Sequence, residues 1–573
     1  MDQQHFPVAS LGSFDYVVFI GMLLISVGIG IYYKFTGGQQ RSTSEYLMAD
    51  HSMGVWPVAF SLMASFASAI TLLGLSSEIY TYGTQFMAIN IAYVIGTPIS
   101  AFVFLPVFYR LKLTSIYEYL EQRYNRSIRI MASATFMAQM IFYIAIVLYA
   151  PALAFSAVTG ISKWVSIISV GTVCTLYCTL GGIKAVIWTD VFQSLLMFFA
   201  MFIIIVKGTI DVGGVHEVYR RANLGSRLEF TNFDMNPTTR HTIWNLVIGG
   251  TFMFISVYGV NQTQVQRLLT VRTLRQSQMA LFISWILVSL LSFTTAATGL
   301  VIYANFWKAD PLKCGIIKKS DQLLPYYAVS QLAEYPGLPG MIIAGIFSGS
   351  LSTVSSFVNS FSAVTLEDYI KPILMKRGRT ITISEVFITK LLVFFYGCLF
   401  VMLTYLVDKM AGLLQASLTV FGVIGGPLLM LFIVGICFSR TNAIGAMTGF
   451  IVSLFIGLWI GFGSLLYGKK PIPLETSNQL CTNMTVFPNL SIESEWSHSS
   501  IYDLSYMWFA ALSCTIGIIV TIVISWCANN QHELNVKPKL DKLLMVKLLV
   551  NDRQQNPTIQ IDDNDDCKTK ATN

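Results

Sequence analysis

Residues 344–371 read AGIFSGSLSTVSSFVNSFSAVTLEDYIK. The stretch is apolar enough to enter a bilayer, yet Ser348, Ser350, Ser352, Thr353, Ser355, Ser356, Asn359, Ser360 and Ser362 all fall within it. On a helix, side chains four apart share a face, so Ser352, Ser356 and Ser360 line up, and Thr353 and Asn359 widen the stripe. Gly345 and Gly349 remove side chains near its start and let another backbone approach. Small and hydroxyl residues pack transmembrane helices together, and a lone serine would be read that way. The density here points further. Ser352 and Thr353 are adjacent and offer two hydroxyl oxygens at one level, which suits a hard cation such as Na⁺. The helix is expected to be one wall of an ion site that other segments complete.

The rest of the chain fits a membrane setting. It is 54% hydrophobic and 12% charged, with mean hydropathy +0.62; a soluble domain carries about 25% charged residues. Roughly thirteen apolar segments are long enough to span. They centre near Ile25, Leu62, Val94, Phe142, Val170, Phe198, Met253, Leu287, Gly349, Phe395, Leu429, Phe455 and Ile518. The expected fold class is an all-α polytopic membrane protein. Residues 1–13 form an outer arm, 14–528 the transmembrane domain with a core over about 52–438, and 529–573 a polar tail expected to be disordered and cytoplasmic. Lys and Arg gather after alternate segments, as in Arg110, Lys112, Arg123, Arg126 and Arg129, or Lys371, Lys376, Arg377 and Arg379. By the positive-inside rule those ends are cytoplasmic, the N-terminus is outside and the C-terminus inside. The long loop over 468–503 then lies outside. It carries two glycosylation sequons, at Asn483 and Asn489, which agrees independently. Of nine cysteines, only Cys314 and Cys481 fall in loops assigned to the outside, where a disulfide between them is allowed.

Four further stretches carry chemistry. The second span reads MASFASAIT at its middle, where Ser65, Ser68 and Thr71 compete for backbone hydrogen bonds. Either an ordinary helix or a break is expected there, and a break at membrane depth requires a cavity or an ion for the freed carbonyls. Glu78, near its outer end, reads as interfacial. Asp190 and Gln193 fall three apart just inside the sixth span. An intramembrane carboxylate is costly and reads as functional by default; the alternative is a structural pair of Asp190 with Lys184 or a backbone amide. The seventh span holds Gly249, Gly250 and Gly259, then Asn261, Gln262, Gln264, Gln266 and Arg267. It is expected to unwind near its middle, and the amide run reads as a cytoplasmic gate network or as a helix end in water. GVIGGP, at 422–427, is another candidate for bent backbone. The basic stretch 110–129 reads as a loop at the headgroups, and Glu367, Asp368 and Lys371 as a charged stop.

GGIKAVIWTDVFQ (181–193), GGTFMFISVYGVNQTQVQR (249–267), DQLLPYYAV (321–329) with YPGLPG (335–340), and SGSLSTVSSFVNSFSAVTLEDYIKP (348–372) resemble the sodium/solute symporters almost residue for residue. The likeness is greatest to the branch holding the sodium/iodide, sodium-coupled monocarboxylate and multivitamin transporters. It implies a core of ten helices in two inverted five-helix repeats with discontinuous helices, one helix before and two after. It further implies a sodium site made of the carbonyls of Ala64, Ala67 and Gly349 and the hydroxyls of Ser352 and Thr353. Asp190 and Gln193 are similar to family positions that influence sodium use. The solute cavity would lie near Phe66, Thr71, Phe254, Tyr258 and Leu418. In the iodide branch the positions of Phe254, Thr71 and Leu418 look like Trp, Gln and Phe, so these departures count against iodide; the sugar-carrying branch differs in its polar cavity residues.

The expected function is sodium-driven symport of a small organic anion, a monocarboxylate or vitamin-type carboxylate, across the plasma membrane by alternating access. The partners are that solute and membrane lipid, with Na⁺ co-transported, no organic cofactor and no nucleic acid; the oligomeric state is open. The alternatives are a sodium-gated sensor or leak pathway of the same fold, or a symporter for iodide or another non-carboxylate solute. A membrane enzyme is disfavoured, because no metal-ligand spacing, nucleophile with its base, or phosphate loop occurs at a consistent depth.

Overall fold

The computed structural model describes residues 11–36, 42–376, 385–407, 413–469, 471–477, 481 and 501–528. Among them, ten helices are long and apolar enough to cross a membrane, and an eleventh span is the pair Val55–Phe66 and Ala69–Tyr82, bent by 61°. Two further features account for the thirteen segments read from sequence. Lys163–Val212 runs for 50 residues, more than twice the ~20 that span a bilayer, and it breaks at Gly182, where φ is 61°. A side chain there would be strained by that φ and would strike Tyr46 at 2.8 Å. The glycine-rich span is a second broken pair, Asn245–Tyr258 followed by Gln262–Leu268.

The hydroxyl-rich segment forms Leu338–Val364 and sits at the centre, with every residue from Ile342 to Val364 buried. It packs most extensively on Lys163–Val212 and also on Ser13–Phe35, Arg126–Thr159 and Glu385–Leu403. Asp15 of the first helix caps its start, accepting from the amides of Gly337 at 3.0 Å and Gly340 at 2.9 Å. Most of its hydroxyls turn back on their own helix: Ser355 donates to the Ser352 carbonyl at 2.9 Å, Ser360 to Ser356 at 3.1 Å and Ser362 to Asn359 at 2.7 Å. The few that leave the helix are the informative ones.

Several local expectations are corrected. GVIGGP stays helical within Leu413–Cys437; its glycines serve close packing, since a Cβ at Gly426 would meet the Ala510 carbonyl at 2.6 Å. The basic stretch is not a headgroup loop: Tyr117, Tyr119 and Leu120 are buried on a short helix, Tyr117–Arg123. Arg129 is buried against Asp368 at 2.6 Å and also reaches Glu121 at 2.6 Å. Asp368 is therefore a buried partner rather than a solvated stop. Lys184 pairs with Glu45 at 3.4 Å, not with Asp190. Glu78 is buried, and both its oxygens face Arg240. Residues 1–10 and 529–573, with both sequons at Asn483 and Asn489, lie outside the described residues.

Candidate functional site

The site begins at the break after Phe66. Ala67 has φ −73° and ψ 69° and ends the helix. The amide of Ser68 turns to the Phe66 carbonyl at 2.8 Å, and that of Thr71 to Ser68 at 2.9 Å. The carbonyls of Ala64 and Ala67 thus lose the donors four residues on that an intact helix would supply. Ser68 restarts the chain as the cap of Ala69–Tyr82, its hydroxyl accepting from the Ile70 amide at 3.2 Å.

The hydroxyl helix meets this break at Gly349. A Cβ there would lie 2.6 Å from the Ala69 nitrogen and 2.8 Å from the Ser68 carbonyl carbon, so the approach depends on the missing side chain. Ser352 donates to the Ala64 carbonyl at 2.9 Å and lies 3.1 Å from that of Gly349. Thr353 donates to the Gly349 carbonyl at 2.9 Å. Four of the five oxygens expected to hold the ion are therefore mutual hydrogen-bond neighbours, and the fifth, of Ala67, belongs to the break itself. The two hydroxyl protons satisfy the carbonyls in the form seen here. A hard cation seated among the oxygens would turn those protons away and take the lone pairs.

Asp190 lies beside this site, fully buried. Ser61 donates to it at 2.5 Å, and Arg267 approaches to 3.7 Å. Arg267 is itself buried and gives its donors to Ser61 at 2.7 Å, to the Thr263 carbonyl at 2.9 Å and to Ser356. Ser356 also neighbours Ser65 at 3.0 Å. One network thus ties Lys163–Val212, Val55–Phe66, Gln262–Leu268 and the hydroxyl helix. The sequence reading missed Arg267 as the partner of Asp190. The signal was available: a seven-residue helix starting at a mid-membrane break is too short to carry its last arginine far into water. Gln193 does not join this network; its amide points to Ser26 on the first helix at 3.5 Å.

The amide run is buried and closes the end read as cytoplasmic. Gln262 donates to the Thr114 carbonyl at 2.7 Å and accepts from the Ile116 amide at 2.8 Å. Gln264 donates to Leu62 at 3.0 Å and Gln266 to Leu47 at 2.9 Å. At the opposite end Arg240 holds both oxygens of Glu78, at 2.8 and 2.9 Å, and the Gln415 side-chain oxygen at 2.8 Å. Burial opposes the charge of Arg240, but the Glu78 carboxylate more than offsets this and keeps it cationic. Burial and the Arg240 charge together push His241 well below its ordinary value, so it is neutral and pairs with the Tyr506 hydroxyl at 2.7 Å. A cavity of about 500 Å³ lies here, lined by Arg240, His241, Gln415, Tyr502 and Tyr506 among others. Cys314 and Cys481 are joined as a disulfide, with Cα atoms 5.4 Å apart.

Between the two closures lies an aromatic box. Phe66 at the break touches Tyr143 (6.3 Å between ring centroids), Tyr258 (6.0 Å), Phe357 (5.8 Å) and Phe421 (5.5 Å). Phe254 stacks on Tyr258 at 4.5 Å and meets Tyr93 at 5.2 Å. Of the five expected cavity residues, Phe66, Tyr258 and Phe254 are thus brought together. Thr71 lies beside them, its hydroxyl 3.4 Å from the Phe66 carbonyl. Leu418 is half-buried one turn before Phe421. Tyr93, Phe357 and Phe421 were not singled out, and Tyr143 reads from sequence as packing or a pore wall, because aromatic residues in apolar spans look like ordinary packing until the rings are seen to converge.

Residues 46–453 match the model of the sodium:solute symporter family. A Drosophila melanogaster protein provisionally named a sodium-dependent multivitamin transporter is 45% identical, over 91% of this chain and 87% of that one. The sodium-coupled monocarboxylate transporter 1 of Homo sapiens is 41% identical over 92% and 88%, and the sodium-dependent multivitamin transporter of Oryctolagus cuniculus 39% identical over 93% and 85%. Among solved structures, a Na⁺-coupled sialic acid symporter shares the fold, with TM-score 0.73, 24% identity and coverage of 90% of this chain and 98% of that one. A multi-pass helical protein with two broken spans around a cluster of hydroxyls and freed carbonyls, matched along most of its length, belongs to the sodium:solute symporter family and is a sodium-coupled transporter rather than an enzyme.

Proposed function

We propose that this symporter couples Na⁺ entry to uptake of a small organic anion, a monocarboxylate or vitamin-type carboxylate, across the plasma membrane, with its N-terminus outside and C-terminus inside. The observation that carries the ion half is the meeting of Gly349, Ser352 and Thr353 with the freed carbonyl of Ala64. Named relatives that carry monocarboxylates and vitamins support the solute class. Sodium seated between the hydroxyl helix and the break would join the two walls and favour the form open to the outside, and the solute would then close the outer end. Such coupling needs the ion to bind the two forms unequally. At about −60 mV one Na⁺ gains roughly 1.4 kcal/mol from voltage, scaled from 2.3 kcal/mol per 100 mV. A tenfold sodium gradient adds about 1.4 kcal/mol more; a monovalent carboxylate carried one for one with Na⁺ moves no net charge, so the gradient alone then supports about tenfold accumulation of it.

The test is uptake by cells expressing the chain, with and without Na⁺, across butyrate, nicotinate, biotin, pantothenate, iodide and glucose. Sodium-dependent accumulation of a carboxylate is expected. Ser352→Ala with Thr353→Ala should raise the sodium requirement strongly while the protein still reaches the surface. Unchanged sodium dependence in that double variant would remove the ion-site assignment, and accumulation of iodide or glucose alone would remove the solute class.

A further inference from the structure

A strained piece of backbone lies at the edge of the inner closure. Ala49, Asp50 and His51 all sit in the left-handed region, with φ of 53°, 49° and 52°. The other non-glycine residues with positive φ, Lys112 and Ser226, are single. L-residues visit this region one at a time, because Cβ crowds the following carbonyl oxygen. Asp and His tolerate it better than most, but three in succession make a left-handed turn. Within it, the Ser52 amide and hydroxyl reach the Ala49 carbonyl at 3.1 and 2.6 Å. Asp50, at its centre, is exposed, and its carboxylate has no hydrogen-bond or ion-pair partner among the described residues. The turn is held instead from its two ends. Before it, the Tyr46 hydroxyl donates to the Cys178 carbonyl of Lys163–Val212 at 3.0 Å. After it, His51 donates through Nδ1 to the Leu269 carbonyl, and the Met53 amide to that of Thr270 at 3.1 Å. Met53 also pairs with Val271 in an isolated parallel bridge, and Gln266 reaches the Leu47 carbonyl at 2.9 Å. The turn thus links Lys163–Val212 to the end of Gln262–Leu268, and it leads directly into Val55–Phe66.

We propose that Ala49–His51 is a spring set by closure of the inner end and released when that end opens. Backbone strain persists only where the surrounding structure over-determines it, and it gathers at switches. The contacts that over-determine this turn come from residues 266–271, the same stretch that grips Val55–Phe66. When the stretch parts from Leu47, His51 and Met53, the turn is free to return to ordinary dihedrals. That relief offsets part of what opening costs in broken hydrogen bonds. The strain therefore sets the balance between the inner-closed and inner-open forms without touching ion or solute. This rests on the reading above that sodium favours the form closed on the inside, and it does not depend on which solute is carried.

Asp50 is the position to vary, because its side chain has no partner and a replacement acts through the backbone. Glycine relieves the strain, asparagine tolerates it as aspartate does, and alanine and then valine deepen it. All four replacements remove the same charge, so a charge effect would move them together, whereas strain spreads them apart. The readout is thermal unfolding of the purified full chain, with NaCl titrated against choline chloride at constant ionic strength. Deeper strain lowers the share of the inner-closed form, and apparent sodium affinity falls with that share. The NaCl concentration giving half the maximal stabilisation should rise in the order Asp50→Gly, Asp50→Asn, Asp50→Ala, Asp50→Val. About fivefold is expected between Gly and Ala, and that pair carries the comparison if the valine variant does not fold. Variants that differ in melting temperature in choline chloride but share one sodium half-saturation would show the strain to be equal in both forms, which overturns the spring alone. Four variants shifted alike would assign the effect to charge and overturn it as well. A wild type that sodium does not stabilise overturns both the spring and the sodium reading beneath it.

Discussion

Gly349→Ala is the perturbation whose effect can be worked most directly. The added Cβ would sit 2.6 Å from the Ala69 nitrogen, and ordinary contact begins near 3.4 Å, so the two backbones must part by about 0.8 Å. Neither neighbour is a flexible side chain that can swing away. A functional constellation tolerates about 0.5 Å before its geometry is lost. The sodium-free protein can relieve the clash by letting the hydroxyl helix and the break separate, but the proposed ion-loaded form needs the Ala64 carbonyl on one wall and Ser352 on the other. The strain therefore falls on ion binding. Overpacking of this kind costs about 1–3 kcal/mol, and 1.4 kcal/mol is tenfold in affinity, so the sodium half-saturation should rise about tenfold or more. The assay is solute uptake against external sodium, corrected for surface protein by biotinylation. Gly345→Ala on the same helix is the control. Its Cβ would strike the Ala200 side chain at 2.5 Å and the Leu196 carbonyl at 2.9 Å, away from the break. It should lower the amount of protein at the surface and leave the sodium half-saturation unchanged. Gly349→Ala with a normal sodium requirement and normal surface level would show that the two walls do not meet around the ion.

Two further perturbations probe the charged networks. Asp190→Asn leaves Arg267 as a buried cation without its counter-charge, a change that costs about 3–5 kcal/mol when a buried pair is broken; accumulation driven by sodium should collapse, and adding Arg267→Gln should restore surface protein. Normal accumulation in Asp190→Asn would reduce that carboxylate to a structural detail. Glu78→Gln should loosen the outer closure, so that Thr71→Cys is modified faster by an impermeant thiol reagent from outside, and exchanging the charges of Glu78 and Arg240 should slow it again. Because His241 is held neutral by burial and by Arg240, it should add no step to uptake between about pH 6 and pH 8; below its ordinary value near 6.5 the unfolded chain takes up a proton that the folded one refuses, so lowering pH weakens the fold rather than the closure. A pH step abolished by His241→Gln would contradict this.

Much of the candidate ion site was legible in sequence because its signals are local. Hydroxyl density in 344–371, polar residues mid-span before Thr71, and glycines before Asn261 each violate the usual content of a membrane helix, and each violation has a physical reason. What was not legible depends on partners distant in sequence. Nothing in Glu78 announces that an arginine from a polar loop folds over it, and Asp190 has a lysine six residues before it that is the obvious partner and is used elsewhere, on Glu45. The nine polar residues of the hydroxyl helix look alike on paper. Back-bonding to their own helix distinguishes Ser355, Ser360 and Ser362 from Ser352, which reaches across to another wall. GVIGGP remains within one helix, with Pro427 inside it, and its small residues fit against the helix Phe509–Cys527.

The same segment, Val55–Phe66, serves both the ion and the inner closure, and this explains how one could control the other. Its Ala64 carbonyl is an ion ligand candidate, its Leu62 carbonyl receives Gln264, its Ser61 bridges Asp190 and Arg267, and its Ser65 touches Ser356. Ser356 in turn donates to the carbonyl of Ser352, one turn along the hydroxyl helix, and receives Arg267. An ion drawing Ser352 and Ala64 together would press Val55–Phe66 onto the hydroxyl helix and so hold Ser61 and Leu62 where Arg267 and Gln264 grip them. When the ion leaves, that wall loses a support on the far side from the grip. Each hydrogen bond of the closure contributes about 0.5–1.5 kcal/mol net, and one sodium ion supplies about 2.8 kcal/mol from voltage and gradient. The driving force therefore matches two to five such bonds. That is the scale of the grip made by Gln262, Gln264, Gln266 and Arg267, so a change at the ion site is large enough to tip the inner end between its closed and open forms.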